Sequence, residues 1–367
     1  MPFCLSQLKK EYENSFFFTS NKECIEYLLL ENLQPLEEYA ILVTGNEAWL
    51  FTPHSIECKE VKQILYEGYS NIRYQDKIRN ILCKLDEFSF PLAADTAFER
   101  KVYGDYFEKR GCRVTDVTKQ VCKAARIKTQ KQLEAVEACV QINESIYREI
   151  SKKEVFGESE LTLFGFVREK IMEHTGFSNQ MIYDFLAGKR TAQVSGFPTN
   201  YQIQKGDTLI ADLLPRNNGV YADMTRTFFA GAPSDKQNYI YEICCEAMEK
   251  GEEALAPGRS SGEIYEAVAL NFRKYGLECN FPHHAGHGLG MGYYEAPYFL
   301  KEETEILQEN MVVALEPGLY IQGEFGIRIE NNYVITLNGA RRLGSLPIEI
   351  SSYILTFDQS SAEMEKI

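Results

Sequence analysis

Residues 208–229, TLIADLLPRNNGVYADMTRTFF, constrain this chain more than any other stretch. Two apolar, β-prone runs flank Pro215, Arg216, Asn217, Asn218 and Gly219, a cluster that predicts a hairpin turn. With Asn217-Asn218 as the two-residue tip, Asp212 and Asp223 face each other directly, their Cβ atoms roughly 5 Å apart. Aspartate is a poor strand former, and like charges opposed on a sheet repel. Two carboxylates at such positions call for a cation between them.

A second segment repeats the lead-in. Gln204 to Asp212 (QKGDTLIAD) aligns with Gln308 to Glu316 (QENMVVALE) at an offset of 104 residues (308 − 204). Each begins with Gln, runs into an apolar strand and ends on a carboxylate, so two related halves are expected to face one another. Pro317-Gly318 then signals a turn. In the following GIRIE, Arg328 and Glu330 alternate with Ile327 and Ile329 and share one strand face. Between the halves, residues 281–292 (FPHHAGHGLGMG) hold three of the five histidines among glycines that permit close approach. Asp212, Asp223, His287, Glu316 and Glu330 thus form a candidate set of four carboxylates and one imidazole. Such donors suit a pair of divalent ions, Mn²⁺ first, with Co²⁺, Fe²⁺ or Zn²⁺ also admissible. Two such ions would balance the four negative charges.

The order Asp, a second Asp eleven positions on, then Gly-His-Gly, Glu-Pro-Gly and Arg-Ile-Glu resembles the pita-bread metallopeptidases, in the Xaa-Pro dipeptidase, aminopeptidase P and creatinase branch. The likeness runs from about residue 40 to 336. It implies an α+β chain in which an N-terminal, creatinase-type α/β domain precedes a pita-bread catalytic domain of two pseudo-symmetric halves. The expected boundaries are 1–123 and 124–357, with a polar tail at 358–367. The resemblance also gives Glu316 the proton of the attacking water. His283 matches a family histidine four residues before the metal-binding one. A further family histidine, seven residues after it, is replaced by Tyr294, and one ahead of the first metal strand by Ser195. Glu316, His283 and Tyr294 are therefore the expected catalytic residues, and His283, Ser195 and Arg328 the expected substrate contacts.

The remaining sequence is consistent with this layout. Residues 40–52 predict strand, turn, strand; 75–85 and 96–109 predict helices, the latter stopped by Gly111. Residues 57–66 fit a helix or a strand equally. Apolar stripes predict helices at 135–150 and 160–174 in one half, and at 237–255 and 262–275 in the other. A net charge of −14 argues against nucleic acid or an anionic membrane as partner, and no stretch approaches the ~18 apolar residues of a membrane span. Ten scattered cysteines without an export signal predict reduced thiols and a cytoplasmic protein. The N-terminal domain is expected to be a packing platform for a homodimer.

Three functions fit these residues. The preferred one is a dinuclear metal hydrolase of a peptide or amide bond in a small substrate, with Xaa-Pro dipeptides leading. A creatinase-like C–N hydrolase of a small metabolite is the alternative, favoured by the altered histidines but not by the complete ligand set. A non-catalytic binding protein would explain the lost histidines but not five retained ligands.

Overall fold

The computed structural model describes residues 2–34, 37–45, 47–66, 74–177 and 181–355. It divides into two units, Met1–Ala135 with Asn217–Val220, and Val136–Arg216 with Tyr221–Ile367. Asn46 of the expected 40–52 turn and the expected tail at 358–367 lie outside the described residues.

The first unit is built on a six-stranded mixed sheet. Across it the strands run Lys62–Leu65, Ala48–Thr52, Ala40–Val43, Phe16–Thr19, Ala93–Thr96 and Arg113–Asp116. Three consecutive phenylalanines, Phe16 to Phe18, make the central strand, and both its faces are buried. Phe16 and Phe18 pack on Tyr103 and Phe107 of the helix Lys101–Glu108. The helix expected over 96–109 therefore starts later, because Ala93–Thr96 is a strand paired in parallel with Phe16–Phe18. Strand pairing outcompeted helix propensity there. Gly111, at φ 79°, does end the turn after that helix. The ambiguous stretch 57–66 contributes the strand Lys62–Leu65.

The second unit repeats itself. Helices Gln130–Ile150 and Glu160–Thr175 precede one sheet, and Asp235–Ala254 and Ser261–Lys274 precede the other. The two pairs start 105 (235 − 130) and 101 (261 − 160) residues apart, close to the offset read in the strands. Ser159, Ser234 and Ser260 cap three of these helices; the last two form full capping boxes with Gln237 and Glu263. One sheet runs Met181–Ala187, Thr208–Leu214, Met224–Ala230, Ile354–Leu355; the other runs Glu295–Tyr298, Gly286–Gly288, Val312–Leu315, Asn331–Thr336, Gly339–Arg342. A short hairpin, Gly318–Ile321 with Phe325–Arg328, completes the unit.

The central hairpin forms, in a corrected register. Its tip is Asn218-Gly219, at φ 49° and 74°, not Asn217-Asn218. A two-residue I′ turn needs positive φ at both positions, and glycine meets that need at no steric cost. Asp212 accordingly faces Thr225, and Met224 faces Leu213. Asp212 and Asp223 are diagonal rather than directly opposed. The slip of two residues in the facing pair preserves side-chain parity, so both carboxylates still share a face.

Candidate functional site

Each ligand candidate is held by backbone contacts that its neighbours supply. The helix Gln130–Ile150 grips the strand of Asp212 on either side. Asn143 donates to the carbonyl of Leu213 at 3.0 Å, and Tyr147 to that of Ala211 at 3.0 Å. Asp223 lies just before the strand Met224–Ala230, and Asn332 clamps its backbone there. Its amide donates to Asn332 Oδ1 at 3.1 Å, and Asn332 Nδ2 donates back to its carbonyl. Glu330 is tied by its amide to the Thr225 carbonyl at 3.0 Å, and its Oε2 accepts from Thr225 Oγ1 at 2.8 Å. Arg226, fully buried, donates to Tyr353 Oη, the Glu330 carbonyl and Asn331 Oδ1 within 2.6–2.8 Å, which locks this stretch from behind.

His287 sits mid-strand between two glycines. At Gly286, φ is 154° and a Cβ would stand 2.1 Å from the Ala314 carbonyl oxygen, so only glycine lets these strands meet. The hydrogen bond from His287 Nδ1 to the Gly288 carbonyl, 2.9 Å, assigns the proton to Nδ1. Nε2 is left facing Asp223 at 3.6 Å and Glu316 at 3.4 Å. A backbone partner of this kind orients a metal-binding imidazole.

These side chains converge on one cavity of about 410 Å³, lined also by Asp184, Val194, Ser195, Leu214, His283, His284, Tyr293 and Tyr294. Within it Oδ1 of Asp212, Oδ1 of Asp223 and Oε1 of Glu330 are buried and make no hydrogen bond. Burial raises the pKa of Asp212 to about 7, partly opposed by Arg328. Burial, then the Glu330 and Asp212 charges, push Asp223 well above the carboxylate range; burial and Glu316 do the same to Glu330. Burial works against the charge of Glu316 too, but the imidazoles of His284, His287 and His283 outweigh it and hold Glu316 down at about 2. Buried carboxylate oxygens without donors are stabilised by cations. The residues therefore fit divalent metal: among the described residues two groups, His283, His284 and Glu316, and Asp223, His287 and Glu330, have ligand atoms within 4.8 Å of one another, and both lie here.

Arg328, expected on the substrate, lines the cavity and is also held by the protein. It donates to Asp184 at 2.7 Å, Asp212 at 2.9 Å, Tyr320 Oη and the Val194 carbonyl at 2.9 Å each, and Thr225 Oγ1 at 3.2 Å. It holds Asp212 in place, and its positive charge offsets that of Asp184. His283 is likewise engaged at both nitrogens, with the His284 carbonyl at 2.7 Å and Tyr320 Oη at 3.0 Å. Burial lowers its pKa to about 4, so it is neutral near pH 7. Ser195 lines the cavity but gives its hydroxyl proton to Asp184, at 2.7 Å. Tyr294 is 44% exposed, with its ring 4.8 Å from that of His287 and 4.9 Å from that of Tyr298. Asp184, His284, Tyr320, Thr225 and Asn332 were missed in sequence. Asp184 carried a readable signal: like Asp212, it is a carboxylate inside an apolar strand.

Residues 120–337 match the description of metallopeptidase family M24. The Xaa-Pro dipeptidase of Pyrococcus furiosus is 30% identical over 311 residues, spanning 84% of this chain and 88% of that one. Among solved structures, the Xaa-Pro dipeptidase from Bacillus anthracis superposes with a TM-score of 0.80 at 21% identity, covering 95% of this chain and 99% of that one. The X-Pro aminopeptidase from Thermotoga maritima gives a TM-score of 0.80 at 19% identity, with the same coverage.

Proposed function

We infer, since this chain belongs to metallopeptidase family M24 and is a metal-dependent peptidase, that its substrates are Xaa-Pro dipeptides. The observation that carries the site reading is the convergence of three donor-less carboxylate oxygens with His287 and Glu316 in one cavity. In this reading Asp212, Asp223, His287, Glu316 and Glu330 hold two divalent ions, Mn²⁺ first, with Co²⁺, Fe²⁺ and Zn²⁺ fitting the same donors. When bound, such ions acidify a water and polarise a carbonyl.

The chain's own groups do the rest. Glu316, kept ionised, takes a proton from the attacking water and returns it to the leaving nitrogen as the C–N bond breaks. Arg328 and Asp184 hold Asp212; Tyr320 fixes the orientation of His283. Val194, Leu214, Tyr293 and Tyr294 offer an apolar wall for a prolyl ring. Tyr294 donates its hydroxyl to the developing oxyanion, in the position where the resemblance expects an imidazole, and Ser195 Oγ accepts from the substrate amine. The chain acts as a cytoplasmic homodimer in this reading. None of its ten cysteines forms a disulfide, and no helix among the described residues is long and apolar enough to cross a membrane.

Kinetics on matched Xaa-Pro and Xaa-Ala dipeptides test the reading, with wild type and Tyr294→Phe side by side. Xaa-Pro hydrolysis is expected to lead in kcat/KM. Tyr294→Phe is expected to lower kcat and kcat/KM together by about a hundredfold, the lower end of what losing one oxyanion donor costs. Preference for Xaa-Ala would sink the substrate assignment. A silent Tyr294→Phe with a KM rise in Tyr294→Ala would make Tyr294 a wall only.

A further inference from the structure

His284 lines the cavity without belonging to the five-residue set. It sits in the loop that enters the strand Gly286–Gly288, and its Nδ1 lies 3.1 Å from Oε1 of Glu316. That nitrogen is buried, yet it makes no hydrogen bond despite the short approach. Its lone-pair direction therefore lies off the carboxylate oxygen. His287 Nε2 stands 3.4 Å from the same Oε1. Two atoms that each sit ~2.1 Å from one ion are about 3.0 Å apart at an octahedral right angle and about 3.4 Å apart at a tetrahedral angle. Both nitrogens are thus at the spacing of ligands that share an ion with Glu316. His283 does not compete for this place, because both its nitrogens are already engaged.

We propose that His284, through Nδ1, is an additional imidazole ligand of the ion held by Glu316 and His287. This rests on the five-residue reading above and extends it. The ion then has two nitrogen donors, and the site becomes less oxygen-rich than its carboxylates alone suggest. Imidazole favours Co²⁺ and Zn²⁺ over Mn²⁺ more strongly than carboxylate does. The ring of Tyr294, in the position that lost its histidine, packs 5.2 Å from that of His284. The chain therefore restores an imidazole from the opposite end of the same glycine-rich loop.

The test uses the full chain, stripped of metal and reloaded, as wild type, His284→Ala and His284→Gln. Circular dichroism of the metal-free proteins confirms that the variants fold. Co²⁺ titration followed by visible absorption, and Mn²⁺/Co²⁺ competition followed by elemental analysis, give readouts independent of turnover. Wild type is expected to take up two ions. In both variants the affinity for one Co²⁺ should fall at least about tenfold, with a changed visible band, and the Mn²⁺/Co²⁺ preference should move by a similar factor. An unchanged band and ratio in folded variants, with two ions still bound, would overturn the role of His284 alone. Failure of wild type to take up a second ion would overturn the five-residue reading and this inference with it.

Discussion

Glu316→Gln is expected to lower turnover by at least about three orders of magnitude. The substitution keeps the size of the side chain and one carbonyl oxygen but removes the proton acceptor. Glu316 is suited to that task because it stays ionised while its carboxylate neighbours are pushed toward protonation. Pairs of carboxyl groups whose surroundings drive their pKa values apart are a recurring basis for dividing such labour. Metal content has to be measured beside rate, since Glu316 is also a candidate ligand. Retained turnover at full metal occupancy would remove Glu316 from the mechanism.

Metal removal should have the second large effect, on stability as well as activity. Ions that bind only the folded chain stabilise it by mass action, about 4 kcal/mol at a thousandfold excess over Kd. For a unit of this size that corresponds to a Tm shift on the order of 10 °C. The pH dependence has a definite sign. Asp212, Asp223 and Glu330 have folded pKa values above the ordinary ~4. Their contribution is full below about pH 4 and is lost as pH rises through the folded values. His283 and His287 are shifted down by burial, so their contribution is present above about pH 6.5 and is lost as pH falls. Below about pH 6.5 the two sets oppose each other; above it the carboxyls alone set the slope. The metal-free protein should therefore lose stability from about pH 6.5 to 8. The metal-loaded protein should not, because ionised carboxylates are what the ions bind. Melting curves with and without chelator check this, and a Tm gap that fails to widen across that window would contradict it.

What was legible in the sequence was legible for chemical reasons. Carboxylates within or at the ends of apolar strands are costly, so Asp212, Asp223, Glu316 and Glu330 announced themselves, and the repeat in strands and helices followed from matching lead-ins. The turn was misplaced by one residue because the cluster holds two asparagines. Only the positive φ values of Asn218 and Gly219 choose between the possible tips. Arg328 shows a different limit. Alternation put it on one face with Glu330, but the partners that hold its guanidinium come from distant strands, and Asp184 lies 144 residues away in the chain. His284 was visible in the glycine-rich loop yet undistinguished from its neighbour. Its separation from His283 comes from Tyr320, whose hydroxyl engages one imidazole and leaves the other to face Glu316.

Whether the five side chains hold two ions is tested most directly by elemental analysis of the Mn²⁺-loaded full chain after removal of unbound metal. About two ions per chain is the expected result; a value below about one and a half at saturation would contradict the dinuclear site.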